Sequence, residues 1–240
     1  MVGFLHYLTF TCPDLSFAVN QVCQFMSIPI DIHLIAAKHI LRYINDTLHF
    51  GVFLQLGPFS LLTILDSNWV GDPYDRRSTT GYLVYLGYNP TAWSARKQDI
   101  VSRSSMESEY RALATTTTEL SWLRQVLKDL GVFLSTPPKL WRDNVSALAI
   151  ASNLVFHACT KHVKVDYHFV RESVLCRDLQ VKYIATGDQL ANIFTKSLST
   201  ARFGFLLSKI MVPIDPMVLR GDVKESNLEC TRFKTKEEDE

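Results

Sequence analysis

Three acidic residues stand where a strand is expected to end or a helix to begin: Asp66, Glu109 and Asp143. Asp66 follows the apolar run LLTIL, Asp143 follows KLWR, and Glu109 lies in the first turn of a long predicted helix. Carboxylates gathered at one end of a sheet repel each other, and burying them without a counter-charge costs several kcal/mol each or forces protonation. A divalent cation would remove that conflict.

The donors of such a site determine its chemistry. Oxygen ligands without clustered histidine or cysteine favour Mg²⁺ or Mn²⁺ over zinc. A pair of these ions about 4 Å apart activates water and stabilises the leaving oxygen when a phosphodiester is cleaved. Each acid taken singly has a simpler explanation, because an aspartate at a strand end often caps the following helix. The pattern alone therefore leaves a metal site and a set of helix caps both open.

The segment SRSSMESEYRALATTTTEL (102–120) places Glu107 and Glu109 two residues apart at the start of the long helix. Residues two apart on a helix point in different directions, so at most one of the two faces the interior. Glu109 lies one turn before Leu113, beside the apolar stripe of this helix. We therefore predict that Glu109 faces the sheet and that Glu107 faces solvent.

Hydrophobic periodicity predicts the elements that must position these acids. Two helices, 13–26 and 31–44, form a predicted hairpin. Alternating or apolar runs bounded by turn residues predict strands, and longer amphipathic runs predict helices. The predicted strands are 51–55, 60–69, 80–87, 91–98, 139–143 and 179–185. The later predicted helices are 105–130, which Gly131 ends, and 144–152, 162–176 and 188–198.

The order of elements from residue 60 to 198 is β-β-β-α-β-α-α-β-α. Antiparallel strands followed by helix-connected strands predict an α/β (mixed α+β) fold, with a mixed sheet and helices on its faces. The last residues, 213–240, contain Pro213 and Pro216 and end in KTKEEDE. This tail is expected to be frayed or disordered.

The composition bounds the class of protein. With 240 residues, of which 47% are hydrophobic, the chain is long enough for one large domain with an appendage. A net charge of +1 does not point to nucleic acid, so a nucleic-acid function must rest on local residues. The five cysteines lack CxxC spacing and are expected to be reduced thiols. We find no signal peptide and no run of about 20 apolar residues, so we expect a cytoplasmic or nuclear location and no membrane partner.

Several blocks of the sequence resemble a known family. The blocks LDSNWVGDPYDRRSTTGYLVYLG, SSMESEYRALA, RDNVSALAIASNLVFHACTKHVKVDYHFVRE and DQLANIFTKSL resemble the ribonuclease H domain of copia-type retrotransposon Pol polyproteins. The upstream blocks, from YLTFTCPDLSFAVNQVCQFMSIP to GVFL, resemble the end of the reverse transcriptase and its connection into that domain. The resemblance spans about residues 2–212 and implies a ribonuclease H-like five-stranded mixed sheet flanked by helices.

The resemblance also implies a division of the chain into three parts. These are a helical remnant of the reverse transcriptase thumb or connection at 1–56, a ribonuclease H-like domain at 57–212, and the tail at 213–240. The polymerase motif Y-x-D-D does not occur, so no reverse transcriptase activity is expected. We expect the chain to be a fragment or degenerate copy of the polyprotein, with the missing reverse transcriptase portion as a candidate partner.

The family's catalytic and metal-binding acids correspond to Asp66 in D-x-x-W, Glu109 in E-x-E-Y and Asp143 in D-N-x-S-A. The fourth family acid, in QLAD-I-F-T-K, is replaced here by Asn192. The Asn192 amide is neutral but can still ligate a hard cation, so we expect a two-ion Mg²⁺ or Mn²⁺ site whose second ion binds weakly. Asp188 is either a substitute ligand on the same helical face or the cap of that predicted helix.

Basic residues supply candidate contacts to nucleic acid. They are Arg76 and Arg77 in a polar loop, and Lys161, Lys164, His168 and Arg171 at helical spacing. Each set is either a contact to the backbone of an RNA–DNA hybrid or an ordinary solvated surface.

Two functions stay open. One is a metal-dependent ribonuclease H-type nuclease, impaired by Asn192, that hydrolyses the RNA strand of hybrids. The other is an inactive relic that keeps the fold and binds either a hybrid or nothing. Neither needs a small-molecule cofactor.

Overall fold

Helices form the first part of the chain. A computed structural model describes residues 1–144 and 164–213. The first helices are α1 (Val2–Leu8), α2 (Ser16–Cys23), which a 3₁₀ turn (Pro13–Leu15) precedes, and α3 (Asp31–Asp46). Their buried side chains, which include Leu5, Val19 and Ile40, pack into one apolar cluster. The predicted helical hairpin is present as α2 and α3, and α1 is an additional helix.

The centre of the fold is a five-stranded mixed sheet. Its strands are β2 (Leu61–Asn68), β3 (Thr79–Leu86), β4 (Asn89–Lys97), β5 (Lys139–Arg142) and β6 (Gln180–Tyr183). They lie in the order β4-β3-β2-β5-β6, with β2, β3 and β4 antiparallel and with β5 and β6 parallel to β2. The predicted fold class, a five-stranded mixed sheet flanked by helices, is confirmed.

Two more elements form a separate short ribbon. The strands β1 (Phe50–Gly51) and β7 (Val212–Pro213) pair antiparallel and join the segment after α3 to the end of the described chain. The predicted strand 51–55 is wrong beyond Gly51, because in the described ranges 1–144 and 164–213 this segment pairs through Phe50 and Gly51 alone.

Helices cover both faces of the sheet. The elements are α4 (Ser105–Asp129), α5 (Lys164–Leu175), two 3₁₀ turns (Thr186–Asp188 and Leu190–Phe194) and α6 (Thr200–Leu207). On one face Ile64 and Leu83 pack against Phe194 and Leu206. On the other face Leu65 and Val84 pack against side chains of α4 and α5. Alternate residues of a strand thus point to opposite cores, as strand geometry requires.

The long helix α4 ends as its sequence predicts. Gly131 has a φ of +78°, a left-handed conformation that glycine adopts at little cost. Its N–H donates to the carbonyl of Lys128 at 2.9 Å, and the N–H of Val132 donates to that of Leu127 at 2.8 Å. These two bonds form a Schellman motif, which satisfies carbonyls at the end of the helix.

The segment 188–198 departs from its prediction. It was expected to form one helix, but the chain makes two 3₁₀ turns that Gln189 separates. Gln189 has an extended backbone, and its side-chain oxygen accepts a hydrogen bond from the N–H of Ala191 at 3.3 Å. A side chain that caps the second turn interrupts a helix at this residue, so the 3.6-residue spacing does not apply across it.

The N-terminal helices contact the edge strand β4. The Asn20 side chain donates to the carbonyl of Ala95, and the Trp93 indole donates to the carbonyl of Thr9 at 2.7 Å. Lys97, also in β4, donates to the side chain of Gln24 at 2.7 Å. The helices therefore lie along one side of the sheet.

Two expectations fall outside the described residues: the helix 144–152 beyond Asn144, and the tail after Pro213. Among residues 1–144 and 164–213, no helix has the length and apolar character needed to cross a bilayer.

Candidate active site

Asp66 lies in β2, two residues before that strand ends, and its side chain is buried. One carboxylate oxygen, Oδ2, accepts a hydrogen bond from the Thr195 hydroxyl. The same oxygen lies 3.1 Å from the ammonium nitrogen of Lys196. Both partners follow the second 3₁₀ turn, which packs on this face of the sheet. That turn therefore sets the position of the Asp66 carboxylate.

Asn192 lies in the second 3₁₀ turn and is buried. Its side-chain oxygen accepts a hydrogen bond from Lys196 Nζ at 2.7 Å. Because the same ammonium also contacts Asp66, Lys196 joins two of the predicted metal ligands. A positive charge thus stands between Asp66 and the residue that replaces the fourth family acid.

Glu109 lies in the first turns of α4, on the opposite face of the sheet from the 3₁₀ turn. Its oxygen Oε2 accepts a hydrogen bond from Arg142 Nη2, and Oε1 accepts one from the Asn144 amide at 2.7 Å. Arg142 is the last residue of β5, and only 2% of its surface is exposed. The prediction that Glu109 faces the sheet agrees with these contacts.

The prediction that Glu107 faces solvent is wrong. Glu107 is only 7% exposed, and its Oε2 accepts a hydrogen bond from the N–H of Arg103 at 2.8 Å. Its Oε1 lies 2.7 Å from Arg111 Nη2. Ser104, the N-cap of α4, accepts a hydrogen bond from the N–H of Glu107. Glu107 is therefore folded back over the start of the helix, as acidic residues three positions after an N-cap serine commonly are.

Asp143 follows β5 directly. Ile64 of β2 pairs with Trp141 of β5 in parallel, so Asp66 and Asp143 each lie two residues further along neighbouring strands. Asp143 Oδ1 accepts a hydrogen bond from Gln189 Nε2 at 3.3 Å. Gln189 Nε2 also donates to the carbonyl of Leu65 at 3.0 Å. The residue that separates the two 3₁₀ turns thus also orients Asp143.

One small cavity brings the three acids together at the carboxyl ends of β2 and β5. Its volume is about 10 Å³, roughly the space that one water needs. Its lining residues are Leu65, Asp66, Ser67, Glu109, Ala112, Arg142 and Asp143. The predicted carboxylates therefore share one site, and Arg142 shares it with them.

The charges of this site nearly cancel. Three carboxylates contribute −3, and Arg142 and Lys196 contribute +2, which leaves −1. Burial lowers the pKa of the Arg142 guanidinium, and the Glu109 carboxylate opposes that shift. The group nevertheless stays protonated, as guanidinium groups in proteins do. Within residues 1–144 and 164–213, Arg142 Nε and Nη1 are buried without a hydrogen-bond partner.

The donors do not fit two divalent ions in this arrangement. In the described part of the chain, no group of three or more His, Cys, Asp or Glu side chains is placed to hold a metal. Arg142, Lys196 and Gln189 already engage the three carboxylates. A Mg²⁺ ion usually keeps several of its waters, and a cavity of about 10 Å³ has no room for them. The oxygen ligands suit Mg²⁺ or Mn²⁺, but the side chains of Arg142 and Lys196 already pair with two of the carboxylates that would bind the ion.

Asp188 has neither of the roles that the sequence left open. It belongs to the first 3₁₀ turn, its side chain is mostly exposed, and it pairs with Lys209 at 3.0 Å. The cap of the second turn is Gln189. Both interpretations of Asp188 assumed one continuous helix, which this segment does not form.

The predicted nucleic-acid contacts lie on two elements. Arg76 is exposed in the loop between β2 and β3, and Arg77 beside it lies 3.7 Å from Asp75. Lys164 and His168 are exposed on α5, and Arg171 on the same helix is partly exposed. Lys161 lies outside the described residues. The role of these side chains stays a prediction.

The sequence interpretation assigned no role in the site to Arg142, Lys196, Gln189 or Thr195. A signal for Arg142 was present, because a basic residue directly precedes Asp143 at the end of a buried strand. A signal for Lys196 was its spacing of four residues after Asn192. Nothing in the local sequence indicates Gln189.

Comparisons with known proteins agree with the sequence blocks. No protein-family model matches the chain. The chain is 47% identical over 213 residues, 88% of its length, to the retrovirus-related Pol polyprotein from transposon RE1 of Arabidopsis thaliana, and covers 14% of that protein. It is equally similar, 47% over 213 residues, to the Pol polyprotein from transposon RE2 of the same plant, of which it covers 15%. The chain thus spans only a small part of these relatives.

Solved structures with a similar fold have low sequence identity. LC11-RNase H1 from compost has a TM-score of 0.44 at 13% identity, with 57% of this chain and 93% of that chain covered. The foamy viral protease-reverse transcriptase in complex with RNA/DNA hybrid has a TM-score of 0.48 at 13% identity, with 83% and 26% covered. The sequence relatives, and not these structures, identify the family. The chain belongs to the family of retrovirus-related Pol polyproteins from copia-type transposons.

Proposed function

We propose that this chain is a ribonuclease H-type nuclease that hydrolyses the RNA strand of RNA–DNA hybrids with Mg²⁺ or Mn²⁺, and that its activity is weak. One observation carries the proposal: Asp66, Glu109 and Asp143 line a single cavity at the carboxyl ends of two parallel strands. Such carboxylates are the ligands with which metal-dependent nucleases hold the ions that activate water and stabilise the leaving oxygen.

The weakness follows from the same cavity. Arg142 engages Glu109, and Lys196 engages both Asp66 and Asn192. Asn192 contributes a carbonyl oxygen but no charge, so the site has one negative charge fewer than four acids would give. We assign Thr195 and Gln189 positioning roles, because they hold the carboxylates of Asp66 and Asp143.

A second candidate function is hybrid binding without cleavage. The buried pair of Glu109 and Arg142 favours it, since this pair holds one of the three acids away from any ion. The two candidates share the same contacts to nucleic acid. For those contacts we propose Arg76 and Arg77 on the loop before β3, and Lys161, Lys164, His168 and Arg171 on or before α5. Basic side chains of this kind position a protein on phosphates and make binding salt-dependent.

We also propose that α1–α3 contact the polymerase portion of a longer Pol polyprotein. Several apolar side chains on and beside these helices are exposed, including Phe4, Ile28 and Ile32. Exposed apolar patches of this kind commonly mark protein–protein contacts.

The test is hybrid cleavage by the purified chain, with the RNA strand labelled and with Mg²⁺ or Mn²⁺ added against EDTA. The proposed nuclease gives slow, metal-dependent product that Asp143→Asn abolishes. The control variant is Asp188→Asn, which removes a carboxylate that is exposed and outside the cavity. It is expected to cleave like the wild type.

Binding measured on the same samples separates the two functions. If the chain binds a hybrid but gives no product with either metal, the nuclease proposal fails and the binding function remains. If product forms equally in Asp143→Asn, the cleavage comes from a contaminant or another site, and the proposed active site is wrong.

A further inference from the structure

Arg142 stands among the acids of the cavity. It ends β5 directly before Asp143, donates to Glu109, and lines the same cavity as Asp66. Its side chain is almost completely buried, so solvent screens its charge very little. A buried cation that contacts one of the three carboxylates and shares a cavity with the other two replaces part of the charge that a metal ion would otherwise supply.

A second cation, Lys196, contacts Asp66 although it does not line the cavity. Lys196 Nζ lies 3.1 Å from Asp66 and 2.7 Å from Asn192, so one ammonium contacts two of the expected ligands. A divalent ion that entered would have to displace these groups or stand close to two like charges. Repulsion is strong for Arg142, whose side chain is buried, and is weakened by solvent for Lys196, whose side chain is 39% exposed.

We infer that Arg142 is a built-in counter-cation that takes the place of a divalent ion among Asp66, Glu109 and Asp143. The chain therefore folds without metal and binds Mn²⁺ or Mg²⁺ weakly, and removal of the Arg142 charge creates the metal site. This inference deepens the proposed function and rests on the site named there. It assigns the weak activity chiefly to Arg142, whose buried guanidinium lines the cavity and contacts Glu109, and only secondly to Asn192.

The same helix supplies a matched control. Arg111 pairs with Glu107 at 2.7 Å, as Arg142 pairs with Glu109, and both glutamates lie on α4. Arg111 does not line the cavity. A general effect of breaking a glutamate–arginine pair appears in both variants, whereas a specific effect on metal binding appears only in the Arg142 variant.

The experiment measures Mn²⁺ binding to the full chain by calorimetry and by the signal of free Mn²⁺ in electron paramagnetic resonance. The samples are the wild type, Arg142→Met, Arg142→Lys and Arg111→Met. Arg142→Met is expected to bind Mn²⁺ at least tenfold more tightly than the wild type and to gain a Mn²⁺-dependent rise in melting temperature. Arg142→Lys and Arg111→Met are expected to bind Mn²⁺ like the wild type.

Two outcomes overturn the inference. One is a wild type that binds Mn²⁺ as tightly as Arg142→Met does. The other is an equal gain in Arg111→Met. If Arg142→Met unfolds without metal, the Mn²⁺ titration of the wild type and of Arg142→Gln decides. Micromolar binding by the wild type, or no gain in Arg142→Gln, contradicts the inference.

Cleavage assays on the same variants keep the two proposals apart. If Arg142→Met binds Mn²⁺ tightly but cleaves no hybrid, the counter-cation is supported and the nuclease function is not. If the wild type binds Mn²⁺ tightly and cleaves, the nuclease is supported and the counter-cation is wrong.

Discussion

Gly81 lies directly opposite Asp66 in the antiparallel pairing of β2 and β3, and the second 3₁₀ turn packs against it through the carbonyl of Ala191 and the side chain of Phe194. A Cβ atom at residue 81 would lie 2.6 Å from Phe194 Cβ and 2.6 Å from Thr195 Cγ2. Both distances are far below a normal contact. The absence of a side chain at Gly81 therefore lets Thr195 reach the carboxylate of Asp66.

We predict that Gly81→Ala destabilises the protein by about 1–3 kcal/mol, because the added methyl pushes the turn off the sheet. It is also expected to weaken any cleavage, since Thr195, which holds the Asp66 carboxylate, moves away from it. Chemical denaturation measures the change. The control is Gly204→Ala in α6, where a Cβ meets nothing within 4 Å and is expected to stabilise by about 0.5–1 kcal/mol. Equal stability of Gly81→Ala and the wild type would contradict the packing described.

Replacing Asn192 by the acid usual in the family tests whether Lys196 limits metal binding. Asn192→Asp adds a carboxylate beside Lys196 and Asp66, and we predict about tenfold tighter Mn²⁺ binding, equivalent to about 1.4 kcal/mol. The gain stays smaller than in the double variant that also carries Arg142→Met, since Arg142 still engages Glu109. Gln180→Glu adds the same charge at the exposed, opposite end of the β5–β6 pair and should not change Mn²⁺ affinity. A similar gain in that control would show a nonspecific charge effect.

The start of α4 sets the position of Glu109. The contribution of the N-cap residue Ser104 to the free energy of unfolding can be measured. Ser104→Ala removes the acceptor for the N–H of Glu107 and is expected to cost about 1 kcal/mol of unfolding free energy. Ser105→Ala changes an exposed side chain next to it and should stay within about 0.5 kcal/mol of the wild type. Denaturant titrations of both variants make the comparison. A larger loss in Ser105→Ala would mean that the helix begins elsewhere.

Asp14 gives the protein a pH dependence far from the cavity. Burial raises the pKa of Asp14 above its ordinary value, and the hydrogen bond from the Tyr43 hydroxyl at 2.7 Å opposes that rise. Between the ordinary and the raised pKa the folded state holds more protons than the unfolded state. The contribution of Asp14 to stability is therefore full below the ordinary pKa and is lost as pH rises through the raised one.

We predict that Asp14→Asn removes this contribution to the pH slope. Its stability relative to the wild type is therefore expected to improve as pH rises from about 3 to about 7, a range that begins below the ordinary aspartate pKa of about 4. Tyr43→Phe should enlarge the slope, because it removes the hydrogen bond that holds the pKa down. Unfolding free energies across that range test both. Parallel curves for Asp14→Asn and the wild type would exclude Asp14 as a source of the slope.

Hydrophobic periodicity in the sequence predicted the strands and helices whose apolar residues recur at regular spacing. The strands around Asp66 and Asp143 alternate or are apolar throughout, and α4 has a serine at its start and Gly131 at its end. Because parallel strands end at one edge, the meeting of Asp66 with Asp143 follows from the order of elements. The contact of Glu109 with that edge follows from its position on the helix.

Helix geometry could not predict Glu107. A helical wheel describes residues in the middle of a helix, whereas the first turn has unpaired N–H groups that draw an acidic side chain back over the terminus. The pattern S-x-x-E from Ser104 to Glu107 was the available signal. Sequence distance hid the other features: Arg142 and Glu109 are 33 residues apart, and Thr195 and Asp66 are 129 apart. Such pairings depend on the assembled sheet.

The hydrogen bonds from Asn20 and Trp93 that join the helical segment to β4 have a consequence for any shortened version of the protein. β4 is the outermost strand on its side of the sheet, so a chain cut to residues 57–212 would leave that edge bare. A bare edge offers unpaired backbone groups to other molecules. Such a piece would fail by self-association into insoluble material while its own sheet stayed intact.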